Sequence, residues 1–195
     1  AVEPNNYKVI LKNGSEYFYK KLLIANGGKP IIPSIKVTNE NGVTFELENL
    51  MVKLKGIFTL TTLDDAISIK NYIKENSITS ASILGGGLIG IKAAEALLEM
   101  GLKINLIELS DRILSASFDK TASDIISKKI NESGNSIFTN QTIDEIFIDK
   151  FRITGYRLSN GKELKCNLLI VSVGVYPDTA ILQNSRIVID RGIIT

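Results

Sequence analysis

Residues 82–90 read Ser82-Ile83-Leu84-Gly85-Gly86-Gly87-Leu88-Ile89-Gly90. A short apolar run enters a glycine cluster of the form G-x-G-x-x-G. A stretch rich in Ala, Leu and Glu, residues 88–100, leaves it and stops at Gly101. Strand, glycine turn and helix are the parts of a dinucleotide-binding βαβ unit. The first glycine, Gly85, permits the tight turn. The second, Gly87, lets backbone approach a pyrophosphate with no Cβ in the way. The third, Gly90, lets helix and strand pack closely. The N–H groups of Leu88 and Ile89 then face the phosphates at the positive end of the helix dipole. The next strand, residues 103–108, ends in Glu108, about twenty residues beyond the glycines, where a carboxylate accepts bonds from the adenosine ribose. That acid repels a 2′-phosphate, so the cofactor expected is NAD(H). Arg112 softens the preference only if it leaves its role as a structural partner in the following loop.

Working outward, residues 57–60 read as a strand, and Thr62 to Asp65 as a helix start with a hydroxyl three residues before a carboxylate. Ala66, Ile67, Ile69, Tyr72 and Ile73 form an apolar helical stripe. Residues 119–133 read as a second long helix with Ile125, Ile126 and Ile130 on one face. Residues 137–139, 143–149, 152–158 and 164–173 read as strands, with a turn at Ser159-Asn160-Gly161-Lys162. Towards the N-terminus, Asn13-Gly14 signals a hairpin between residues 7–12 and 16–19. Residues 22–25 read as a buried strand ending at Asn26-Gly27-Gly28. Residues 34–55 are polar and Asn-rich and read as a linker loop, with room for a small hairpin near positions 39–42. This order implies an α/β fold: a Rossmann-like three-layer domain with a parallel sheet and an antiparallel excursion over residues 143–158.

Composition narrows the function classes. The chain has 195 residues, 44% hydrophobic and 23% charged, with a formal charge of +2. That is globular composition, with too little charge to imply nucleic acid or an anionic membrane. No stretch is apolar enough to span a bilayer, so a soluble cytoplasmic protein is expected. Histidine is absent and Cys166 is the single cysteine. The commonest general base and the material for an intrachain disulfide are therefore missing, and no metal-ligand spacing occurs. Cys166 reads as a core residue, Asp64-Asp65 as a helix cap, and Asp144, Glu145 and Asp149 as a solvated face. No catalytic side chain is assigned.

Several segments together resemble the FAD-dependent pyridine nucleotide–disulfide oxidoreductase family. Residues 22–30 (LLIANGGKP) are similar to the close of its first FAD-domain part. Residues 56–66 (GIFTLTTLDDA) resemble the entry to its NAD domain. Residues 164–177 (LKCNLLIVSVGVYP) resemble its second glycine-ended strand, and residues 188–195 (VIDRGIIT) the return to the FAD domain. The resemblance is nearest to the NADH oxidase, rubredoxin reductase and nitrite reductase large-subunit group. It implies an NADH-binding domain over residues 56–175, flanked by partial FAD-domain elements at 1–33 and 176–195. FAD would be held by parts of the parent absent here, since no FAD fingerprint precedes Tyr7. By the resemblance, Gly174 lies on the nicotinamide side and Leu88 occupies the gating position often held by Tyr. Lys92 stands where a glutamate near the nicotinamide is usual. Lys92 leaves a second reading open, that of a nucleotide-binding or interaction module without hydride chemistry. The partners implied are NADH and an electron acceptor, protein or small molecule. A homodimer is left open, and neither nucleic acid nor membrane is expected.

Overall fold

The computed structural model describes residues 1–183 and 185–194; positions 184 and 195, within the expected return segment 176–195, lie outside the described residues. The chain divides into two compact units, Ala1–Lys29 with Val175–Thr195, and Pro30–Gly174.

In the smaller unit, β1 (Val2–Glu3), β2 (Lys8–Ile10) and β3 (Glu16–Phe18) form an antiparallel sheet. The β2–β3 hairpin turns at Asn13-Gly14 as expected, with the Asn13 side chain accepting from Ser15 N–H at 3.0 Å. A short strand, β4 (Gly28–Pro30), pairs with a strand after residue 174. Residues 22–25, expected as a buried strand, form none, and Leu23 is 87% exposed. Buried strands owe their burial to paired neighbours, and among the described residues nothing pairs with this run.

The larger unit begins with β5 (Lys36–Asn39), β6 (Thr44–Glu46) and the one-turn helix α1 (Leu47–Leu50). Then follow β7 (Ile57–Thr59), α2 (Leu63–Glu75), β8 (Ser80–Leu84), α3 (Leu88–Glu99), β9 (Lys103–Ile107), α4 (Lys120–Glu132) and β10 (Ser136–Phe138). The last strands are β11 (Ile143–Asp149), β12 (Arg152–Leu158), β13 (Glu163–Lys165) and β14 (Leu169–Val171). Beyond it, β15 (Val175–Pro177) is the strand that pairs with β4.

Strands β10-β9-β8-β14-β7 make an all-parallel sheet. Its central strands are largely apolar because both faces are covered. Ala81, Ile83, Ile104, Leu106, Leu168 and Ile170 face α2, α3 and α4. The alternate residues Leu84, Ile107, Leu169 and Val171 face a second sheet, β13-β12-β11-β5-β6. Helices, parallel sheet and mixed sheet are the three layers. A buried hydrogen bond of 2.9 Å between the Ser82 and Tyr156 hydroxyls ties the two sheets together.

Two expectations are corrected here. Residues 34–55 are not a linker. β5 pairs in parallel with β11 and antiparallel with β6, and Ile35, Val37, Leu47, Leu50 and Leu54 are buried in the inter-sheet core. Five apolar residues dispersed among polar ones were enough to seal that layer. Glu145 is not on a solvated face: it is 5% exposed and pairs with Lys36 at 3.4 Å, with Arg157 and with the Thr38 hydroxyl. Buried acids persist where cations and donors surround them.

The helix starts follow the sequence. Thr62 and Asp65 form a reciprocal capping box, and the Asp119 carboxylate caps α4 through Ala122 N–H at 2.9 Å. Partial burial acts to raise the Asp65 pKa, but bonds donated by Thr61 and Thr62 outweigh it and hold the carboxyl below its usual value. The cap therefore stabilises the fold above the ordinary carboxylate range and is lost as pH falls through the lowered value. Among the described residues, no helix is long and apolar enough to cross a membrane. No group of three or more His, Cys, Asp or Glu among them could hold a metal ion.

Candidate dinucleotide site

The three fingerprint glycines sit in three different surroundings. Gly85 ends β8 with φ +110°, a conformation L side chains rarely adopt, and a Cβ there would lie 2.4 Å from the Ser172 carbonyl oxygen. A Cβ on Gly90, in the first turn of α3, would lie 1.9 Å from the Gly85 carbonyl oxygen. Gly87 differs. It has extended backbone, φ −76° and ψ −172°, and a Cβ would meet nothing within 4 Å. No protein neighbour demands a glycine there; its open side is where a ligand's phosphates would approach.

Gly87 caps α3 without any side-chain bond, and the first turn carries no acid. The N–H groups of Gly87, Leu88, Ile89 and Gly90 donate to no acceptor among the described residues. Leu88 and Ile89 are about half exposed. Free amides at a twelve-residue helix start attract anions.

These elements border a cleft of about 510 Å³ at the carboxyl ends of β8, β9 and β14. Gly85, Gly87, Leu88, Ile89, Glu108 and Gly174 line it. Gly90 lies beneath the loop, where it sets the helix approach. Gly174 has φ +131° and its carbonyl accepts from Ile31 N–H at 3.0 Å. Glu108 follows β9, its two oxygens accepting from Gly86 N–H at 2.6 Å and Ser110 N–H at 2.7 Å. Each oxygen keeps a further lone pair for a ligand hydroxyl. The residues present thus fit a dinucleotide: free donors for phosphates, an acid for a ribose and room for both.

The cleft also includes Ser110, Ser115 and Ser117, which sequence reasoning did not single out. Three hydroxyls within nine residues of a strand-end acid were the available signal. Arg112 donates to Asp111 at 3.1 Å and to the Ser115 carbonyl at 3.3 Å, while its Nε is buried with no partner among the described residues. It does not line the cleft. Lys92 is exposed and paired with Glu95 at 2.6 Å, also away from the cleft.

Cys166 is 4% exposed and its thiol donates to the Leu168 carbonyl at 3.1 Å, while burial pushes its pKa up. A buried, protonated thiol is inert. Labelling by an aromatic disulfide is expected to be negligible in the native protein and complete in denaturant. Fast native labelling would contradict this burial.

The family described as pyridine nucleotide-disulphide oxidoreductase matches residues 1–195. The chain belongs to that family. It is 32% identical over 186 residues to the NADH-dependent phenylglyoxylate dehydrogenase subunit epsilon of Aromatoleum evansii, covering 94% of this chain and 40% of that protein. It is 28% identical to the NADH-rubredoxin oxidoreductase of Clostridium acetobutylicum, covering 100% of this chain and 43% of that protein. The chain thus spans less than half the length of these relatives. Among solved structures, the ferredoxin reductase of Rhodopseudomonas palustris superposes with a TM-score of 0.87 at 23% identity, covering 100% of this chain and 44% of that one. That likeness establishes the family's α/β fold.

Proposed function

We propose that residues 30–174 bind NADH and present its nicotinamide to FAD carried by other parts of a longer NADH-dependent flavoprotein oxidoreductase. The observation that carries this reading is Gly87, a glycine with no protein neighbour to require it, beside four free amides at the mouth of α3. In this reading Gly85, Gly87, Leu88 and Ile89 form the pyrophosphate cradle, and Gly90 brings α3 against it. Glu108 accepts from the adenosine ribose and disfavours a 2′-phosphate. Leu88 and Gly174 border the nicotinamide side. The bound dinucleotide would supply hydride; the protein contributes placement, electrostatics and exclusion of water. The names of the Aromatoleum and Clostridium relatives, both NADH-dependent, support the choice of cofactor. The alternative of a module without hydride chemistry rested on Lys92, and the Lys92–Glu95 pair on the exposed face of α3 gives it no support.

Fluorescence titration with NADH and NADPH tests the proposal. NADPH is expected to bind at least about tenfold more weakly, through repulsion by Glu108. Gly87→Val is the sharper arm. It should leave stability within about 1 kcal/mol of wild type, since only an N-cap residue changes. It should also weaken NADH binding about a hundredfold by occupying the phosphates' approach. Unchanged NADH affinity in this variant removes the pyrophosphate site from α3.

A further inference from the structure

We propose that Glu108 has a second role at this site, which rests on the NADH reading above: it holds the glycine loop in its binding geometry through Gly86. Gly86 is the one glycine of the cluster that the fingerprint does not require. Both of its polar backbone groups are nonetheless taken by the segment after β9. Its N–H donates to Glu108 Oε2 at 2.6 Å, and its carbonyl accepts from Leu114 N–H at 2.8 Å. The other Glu108 oxygen accepts from Ser110 N–H at 2.7 Å. The carboxylate therefore fastens the glycine loop and the loop after β9 to each other, and such charge-assisted bonds are among the stronger ones a backbone amide makes.

Two further observations fit a latch. Gly86 has no left-handed φ, so its glycine is explained by crowding. A Cβ would lie 3.0 Å from Glu108 Oε2, 3.0 Å from Ile113 Cγ2 and 3.2 Å from Glu108 Cβ. Leu114 is 3% exposed and sits at φ +55°, a conformation a leucine holds only when its surroundings impose it. The strained residue is the one whose N–H meets Gly86. Without the Glu108 bond, the Gly85–Gly86 peptide loses its acceptor and the loop ahead of Gly87 is held from this side by the Leu114 bond alone, so the amides that follow lose part of their common aim.

This separates Glu108 from a residue that merely reads the ribose. A reader can be removed at no cost to a ligand lacking the group it reads; a latch cannot. The test uses the full chain, wild type, Glu108→Ala and Glu108→Gln, titrated with NADH, with its analogue lacking both adenosine ribose hydroxyls, and with NADPH. Amide hydrogen exchange at Gly86 is followed in the ligand-free proteins. Glu108→Ala is expected to weaken binding of the 2′,3′-dideoxy analogue about tenfold or more and to speed Gly86 exchange by a similar factor. It is not expected to gain NADPH binding that matches wild-type affinity for NADH. Glu108→Gln keeps one acceptor oxygen and should recover part of both effects. Unchanged affinity for the 2′,3′-dideoxy analogue in Glu108→Ala overturns the proposal, as does unchanged exchange at Gly86. A wild-type chain that binds neither dinucleotide overturns the NADH reading, and the exchange measurement then still decides whether the latch exists.

Discussion

Gly90→Val should unfold the larger unit at temperatures the wild type tolerates, with a loss of about 3 kcal/mol or more. The new Cβ would start 1.9 Å from the Gly85 carbonyl oxygen and 3.0 Å from Ser172 Oγ, and neither the turn nor β14 can yield without breaking its own bonds. Gly85 N–H is fixed to the Ile107 carbonyl at 2.8 Å, and Ser172 N–H to the Leu84 carbonyl at 2.8 Å. The helix must therefore move, and Ala93, Ala94 and Leu97 leave the sheet with it. For a chain of this size the loss corresponds to a fall in Tm of roughly 6–12 °C. The same substitution three residues earlier, at Gly87, should leave Tm almost unchanged while suppressing NADH binding. Scanning calorimetry on the two variants is the check. Equal melting temperatures would falsify the close packing of α3 on the glycine turn.

Arg157→Met should cost about 2–3 kcal/mol, because it leaves the buried Glu145 carboxylate with only the half-exposed Lys36 and the Thr38 hydroxyl. Glu145 sits in the middle of the mixed sheet, directly opposite Lys36 on β5 and Arg157 on β12. Arg157 is 40% exposed and also lies over the Phe147 ring at 5.6 Å, so its stem and head both serve the sheet. Removing the acid is the milder change, since the half-exposed cations it leaves can be hydrated. The double variant Glu145→Leu with Arg157→Met is expected to recover most of the loss. Urea denaturation of the single and double variants measures this. Additive losses would mean that the two residues do not depend on each other.

The sequence was most legible where the pattern was local. The Thr62 capping box, the β11–β12 hairpin and the helix stopped by Gly101 each rest on neighbours a few residues apart. The fingerprint glycines and Glu108 were legible because their spacing is set by one βαβ unit; Gly85, Gly87 and Glu108 line one cleft, and Gly90 lies beneath it. What escaped depends on distant partners. Val37 and Leu47 are core residues only because β5 finds β11 more than a hundred residues later. Glu145 looks like any strand acid until Lys36 and Arg157 flank it. Residues 22–25 show the converse, an apolar run that composition alone would bury and that has no pairing neighbour among the described residues. The serines after Glu108 were invisible for a third reason: hydroxyls in loops are common, and only the position of a cleft gives them meaning.

The bond between the Ser82 and Tyr156 hydroxyls joins the middle of one sheet to the other and occupies the floor of the larger unit. With helices above and that sealed floor below, the cleft opens at the rim where β8, β9 and β14 end. An engineer seeking a different guest should therefore be able to rewrite the turns along that rim and leave both cores as they are.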